Sequence, residues 1–323
     1  MRNRRTKAAE KPRNRELGPR PASGASRRRG SVHLVAKGCA AALALLTSAG
    51  AQAQLLPPRH YADASEYRYH LLQEETRGGV STSLDGVVAI KVERRPNGDY
   101  AEAIRWVRLG ESGSPEDAAA RALPAYHLSL APGGTIESPR PKGSVALLGM
   151  VTDLQTFYAA ISPGLGAGDI KDVGRPVERQ EPVIGDFSDG DVILSGKDCT
   201  IARLTVTAIE RDHVVLETRF DPPARSCLSG PAATDGGVPR NFEMIRKVGA
   251  FFISLVGTEQ FTIVSRVSRR DGQLLEADMI NRLDLEGRRC TDAALTDCSP
   301  TPPVSRVRKV RLKLSAVEPL DAK

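Results

Sequence analysis

Asp186, Asp189 and Asp191 fall within six residues in "GDFSDGD", the densest grouping of carboxylates that could do chemistry in this 323-residue sequence. Calcium takes several oxygen ligands from a short loop, so the three are the candidate metal ligands and calcium the candidate ion. The spacing is not that of an EF-hand, and Asp, Ser and Gly also mix in ordinary turns. Facing a cleft, two of these carboxylates would instead suit a general acid and base, which makes an envelope-polymer hydrolase the alternative function.

Other motifs fail on spacing or context. His60, His70, His127 and His213 are scattered, with no HxH or HExxH pair to hold zinc. His213 sits in a predicted hairpin turn, where a solvated histidine is expected. No serine lies in G-x-S-x-G, the strained turn that presents a hydrolase nucleophile. In "GDVILSGKD" the spacing from Gly190 to Gly196-Lys197 does not fit a phosphate loop, and Asp198 stands where Ser or Thr is needed. "GLGAGD" has no strand before it and no helix after it, so a dinucleotide site fails on context.

The elements that must position any site are mostly strands. Val88, Ile90 and Val92 alternate with Ala89, Lys91 and Glu93, "RRPNGD" turns the chain, and "YAEAIRWVRLG" returns. Pro fixes one φ there and Asn-Gly accepts the positive φ that follows. A second hairpin runs from Leu204, Val206 and Ala208 through "ERDH" to Val214, Leu216, Thr218 and Phe220. A third runs from Phe261, Ile263 and Val267 through "SRRDGQ" to Leu275, Ala277, Met279, Leu283 and Leu285. Such period-2 alternation predicts an antiparallel sheet covered on one face. Tyr67, Tyr69 and Leu71 open a further strand. In Ser305 to Ser315, Val310, Leu312 and Leu314 oppose Lys309, Arg311 and Lys313, a cationic row suited to a solvated face that discourages edge pairing.

One helix is predicted between Ser144 and Ser162, because Leu147, Leu148, Val151, Leu154, Tyr158 and Ile161 recur at helical spacing, Ser144 is placed as a cap and Pro163 follows. The segment Asn241 to Gly257 fits either a helix or a buried strand. The predicted class is mainly β (α+β), a curved antiparallel sheet or half-barrel of long hairpins with one or two packed helices. Its divisions are residues 54–140 (N-terminal β region), 141–164 (helix and connector) and 165–323 (C-terminal β region).

The compartment is read from residues 1–53. Arg27, Arg28 and Arg29 precede an apolar run from Cys39, and Ala51-Gln52-Ala53 closes it, which is the order of a signal peptide cleaved after Ala53, here with a long basic extension. Translation starting downstream, at Val32 or Val35, would shorten that extension. The arginines also suggest a twin-arginine signal, although Ser31 stands where that pattern wants an apolar residue. Cys39 opens the apolar run instead of following it, so it does not read as a lipid-attachment site. No later segment reads as long and apolar enough to span a membrane.

Residues 1–53 hold 12 Lys or Arg and two Asp or Glu, a charge of +10 within a total of +7, so the remainder carries −3. The basic pI therefore belongs to the leader. The mildly acidic remainder, with Trp106 its one tryptophan, does not predict nucleic-acid binding. Cys199, Cys227, Cys290 and Cys298 remain, an even number that in an exported chain reads as disulfides. Spacing suggests Cys199–Cys227 and Cys290–Cys298, worth at most about 3.6 and 2.6 kcal/mol by loop entropy, with the other connectivities open.

The export signal, the long hairpins, "SPGLGAGD" leading into a second β region and the closing cationic strand resemble uncharacterised exported bacterial β-rich proteins. In outline the layout over residues 60–315 is similar to the half-barrel lipoprotein carriers, from which it departs in lacking their lipidation site. The resemblance implies a curved sheet wrapped on helices, with a pocket able to hold acyl chains. The expected function is thus a non-enzymatic periplasmic or secreted protein that binds an apolar small molecule or lipid, or an envelope protein partner.

Overall fold

The period-2 runs form strands, and the computed structural model joins them into one sheet; it describes residues 55–318 except 63–64, 97, 131–133, 135, 138, 140, 142–143, 181–190, 196–200 and 223–239. In chain order the strands are β1 (Glu66–Arg77), β2 (Val80–Arg94), β3 (Tyr100–Leu109), β4 (Tyr126–Leu128), β5 (Val177–Gln180) and β6 (Asp191–Ser195). They continue with β7 (Ile201–Ile209), β8 (His213–Asp221), β9 (Phe242–Val248), β10 (Phe251–Ser268), β11 (Leu274–Cys290) and β12 (Cys298–Glu318). Two helices are described, α1 (Pro115–Ala122) and α2 (Val145–Ile161). The order across the sheet is β4-β3-β2-β1-β12-β11-β10-β8-β7-β5, with β9 beside the first part of β10 and β6 beside β9. Every pairing is antiparallel, and the sheet is not closed into a barrel. β12, the last strand, pairs with β1, the first, so the strands before and after α2 belong to a single sheet.

The sheet curls around α2, and one side chain demonstrates it. The guanidinium of Arg59 donates to Glu102 Oε1 on β3 and to the backbone carbonyl of Asp271 just before β11. Along a flat sheet β3 and β11 would lie about 19 Å apart at 4.8 Å per strand, far beyond the reach of one guanidinium. Inside the curl, Leu147, Met150, Val151, Leu154, Phe157 and Ile161 of α2 are buried in one cluster with side chains from both flanks of the sheet. Ser144 caps α2, its hydroxyl accepting from Leu147 N–H at 3.1 Å. Residues Val145–Gly164 are long and apolar enough to cross a membrane by length and composition, contrary to the sequence reading. The cause of that apolarity is the packed face just described.

The three predicted hairpins form as β2–β3, β7–β8 and β10–β11, and Gly98 (φ +89°) supplies the positive φ of the first turn. One inward position differs. A bulge opposite Arg266 and Val267 turns Leu274 into the core and Leu275 out of it. The ambiguous segment 241–257 is a hairpin, β9–β10, because Gly249 (φ +60°) reverses the chain at its centre. Several elements lie outside the sequence expectations, among them the short strands β4, β5 and β6, helix α1 and the hairpin that joins β1 to β2. Helix α1 begins with Ser114 as cap and Pro115 at its first position, a start signal the alternation search passed over. The β1–β2 hairpin turns on Gly78 and Gly79, both at positive φ, but of its arms Gln73–Arg77 is wholly polar and Val80–Asp85 carries only Val80 and Leu84 as apolar residues, too few for a clear alternation.

Cys290 and Cys298 are bonded and sit opposite each other in the β11–β12 register, as the spacing suggested. Cys199 and Cys227 lie outside the described residues.

Candidate functional site

The curl has a filled end and a hollow end, and the sequence of two neighbouring strands determines where one gives way to the other. On β1 the inward positions read Tyr67, Tyr69, Leu71 and then Gln73, Glu75, Arg77. On β12 the facing positions read Leu314, Leu312, Val310 and then Arg308, Arg306. Apolar gives way to polar after Leu71 on β1 and one inward position later on β12, where Val310 faces Gln73 and Arg308 faces Glu75, so the interior changes character over a short stretch of both strands.

At the filled end a buried ion pair replaces apolar packing. Arg59 and Glu102, with side chains 4% and 2% exposed, pair at 3.1 Å. Arg59 also donates to the Tyr67 hydroxyl and to the His60 carbonyl, and its guanidinium lies 4.3 Å from the Tyr61 ring centroid. Burial is the largest single effect and opposes the charge on Arg59, but the Glu102 carboxylate, Tyr67 and Tyr61 together outweigh it, leaving the guanidinium firmly protonated. Burial likewise raises the phenols of Tyr67, Tyr69 and Tyr158, so they stay neutral. Leu56 is buried beside them and its carbonyl accepts from Gly166 N–H at 3.1 Å. The segment 55–61 therefore plugs this end.

At the hollow end a cleft of about 1330 Å³ opens between α2 and the sheet. Its volume exceeds the roughly 300–1,000 Å³ of most small-molecule pockets. Val145, Leu148, Gly149, Thr152, Thr156 and Ala159 give α2's side. Phe220 and Phe261, stacked with centroids 4.2 Å apart, form an apolar wall with Met279 and Leu283. Opposite stand Glu75, Arg306 and Arg308, while Asn281 donates to Glu259 Oε1 at 2.8 Å.

One ion pair ties α2 to this floor: Asp153 Oδ1 lies 2.6 Å from Arg308 Nη2, and the Asp153 side chain is fully buried. Burial pushes the Asp153 carboxyl up to about 6, against the pull of Arg308 and Arg306. Arg306 is 3.7 Å from Glu75 and is held below the ordinary guanidinium value, first by burial and then by Arg308 beside it.

The candidate metal ligands Asp186 and Asp189 lie outside the described residues, and Asp191 opens β6 with its backbone paired to Arg246. Among the described residues no group of three or more His, Cys, Asp or Glu is placed to hold a metal ion. His213 opens β8 and contacts Asp212 at 2.9 Å; neither it nor His60, His70 or His127 lines the cleft. The cationic row Lys309, Arg311 and Lys313 is exposed, with Arg311 bonded to Asp278 at 2.7 Å. Sequence reasoning passed over Arg59, Glu102, Asp153, Arg306 and Arg308. Parity carried a signal for three of them, because Glu102 shares alternate positions with Ile104 and Trp106, as Arg306 and Arg308 do with Val310 and Leu312.

No family model matches the chain, and no curated protein matches it. Among solved structures, lipovitellin, in a structure concerned with its lipid–protein interactions, is similar at 11% identity and a TM-score of 0.37. The match covers 82% of this chain and 26% of that one, so the chain spans a minor part of lipovitellin's length. The outer-membrane protein OmpT of Vibrio cholerae aligns over 80% of this chain and 100% of its own, at 9% identity and a TM-score of 0.13. At such scores the functional reading rests on the cleft.

Proposed function

We propose that the protein is an exported, non-enzymatic binder of a small molecule with a substantial apolar part, held in the cleft between α2 and the curled sheet. The observation that carries this reading is the hollow end itself: about 1330 Å³ of space with a stacked Phe220–Phe261 wall, beside a core that is otherwise densely filled. Protein interiors close-pack, and a void of this size persists only where it faces solvent or receives a ligand. Export is the reading of the 1–53 leader. N-terminal mapping of protein recovered from the envelope or medium is expected to begin at Gln54, and recovery only of uncleaved chain from the cytoplasm would oppose it.

Occupancy is tested by steric blockade. Ala159 lines the cleft from α2, so Ala159→Trp places an indole in the binding space while leaving the helix's packed face intact. Titration with a fluorescent polyene fatty acid is expected to show saturable binding to the parent and at least about tenfold weaker binding to the variant, equivalent to about 1.4 kcal/mol. Equal affinity in a variant of unchanged melting temperature would remove the cleft from consideration.

A further inference from the structure

Arg306 and Arg308 are two residues apart on the same face of β12, which places their Cα atoms about 7 Å apart. Both line the cleft, with side chains 27% and 13% exposed. Each guanidinium carries five N–H donors in a fixed planar fork. Arg308 meets Asp153 at 2.6 Å, whereas Arg306 has Glu75 at 3.7 Å, beyond hydrogen-bonding range, with Glu259 and Asp153 acting on it electrostatically. The Nε atoms of both have no hydrogen-bond partner among the described residues. Donors thus outnumber the acceptors supplied to them. Arg306 holds its proton less firmly than usual, first because it is buried and then because the like charge of Arg308 stands beside it. Repulsion and missing acceptors are both relieved by one group, an oxyanion seated against the two forks.

The rest of the ligand follows from where the apolar wall stands. In the sheet register Arg308 is opposite Asn281, and Asn281 is opposite Phe261, so the Phe220–Phe261 stack begins two strands away, about 10 Å across the sheet. We propose that Arg306 and Arg308 form a headgroup subsite, and that the ligand of the cleft is an amphiphile with a carboxylate or phosphate head and an apolar tail lying against Phe220, Phe261 and Met279. Asp153, Glu75 and Glu259 counter the two guanidinium charges in the empty subsite, and Asp153 fixes the Arg308 fork by pairing with it. This subsite rests on the cleft being a ligand site.

The test compares heads on one tail. Oleic acid, oleyl alcohol and an oleoyl lysophosphatidic acid are titrated at pH 7.5 against the parent protein and against Arg306→Gln, by displacement of the fluorescent probe. The parent is expected to prefer the acid to the alcohol at least tenfold, and Arg306→Gln to lose most of that preference, its affinity for the acid falling more than its affinity for the alcohol. Phosphate bound more tightly than carboxylate assigns the natural head to a phospholipid class, and the reverse assigns it to a free fatty acid; either upholds the subsite. Equal affinity of the parent for acid and alcohol would overturn the subsite and leave the cleft reading standing. Failure of all three amphiphiles to displace the probe would overturn both. The head comparison on the parent needs no variant, so a folding defect in Arg306→Gln leaves the inference open to refutation.

Discussion

Replacing Arg59 with methionine is expected to destabilise the protein by about 3–5 kcal/mol, the usual cost of stranding one partner of a buried ion pair. Glu102 would stay in the filled end with its side chain 2% exposed and its cation removed. The same change removes the side-chain bonds from segment 55–61 to β1, β3 and the β10–β11 turn, leaving the His60 N–H bond to the Asp271 carbonyl at 2.8 Å. Removing both charges is expected to recover most of the loss, because a well-packed apolar pair is commonly as stable as a buried ionic one. Arg59→Met and the double variant Arg59→Met/Glu102→Leu are compared by urea unfolding. A single variant as stable as the parent, or a double variant as weak as the single, would contradict the role assigned to this pair.

Stability is expected to fall by about 2 kcal/mol as pH rises from about 4 to 7 through Asp153 alone, the larger part of a full effect of about 3 kcal/mol at 1.36 kcal/mol per pKa unit. The folded carboxyl titrates near 6 and the ordinary value is 3.8, so the folded state holds the proton more tightly over that window. Its contribution is therefore complete below the unfolded value and lost as pH climbs through the folded one. Burial is the main cause, and the groups facing Asp153 are Arg308 and Arg306 on β12, Glu259 on β10 and Glu75 on β1. Asp153→Asn cannot titrate, so the stability difference between parent and variant should change by that amount between pH 4 and pH 7 in urea unfolding. Parallel pH profiles would refute the assignment.

Much of this fold was legible because burial was one-sided. Val214, Leu216, Thr218 and Phe220 alternate with polar residues and all face the core. The Ser144 cap and apolar stripe located α2 for the same reason. The reading failed where inward no longer meant apolar. Most of Gln73–Arg77 and Val80–Asp85 borders the open end, so the β1–β2 hairpin has a hydrophobic signature of only Val80 and Leu84. Arg306 and Arg308 continue the inward face of Val310 and Leu312, yet in sequence they merge with Lys309, Arg311 and Lys313 into one basic run. Arg59 and Glu102 are separated by 43 residues, and only the curl of the sheet brings them together. A local alternation pattern reports which face is covered; it does not report whether that face meets a helix or empty space.

That distinction is what native mass spectrometry of the protein, purified from the envelope fraction under non-denaturing conditions, measures most directly. Beside the free protein, the parent is expected to show an adduct in the mass range of a single- or double-chain amphiphile, displaced by added oleic acid and absent from Ala159→Trp. A parent that carries no adduct and takes up no oleic acid, or an adduct retained in full by Ala159→Trp, would contradict the claim that the hollow end of the curled sheet is a binding site.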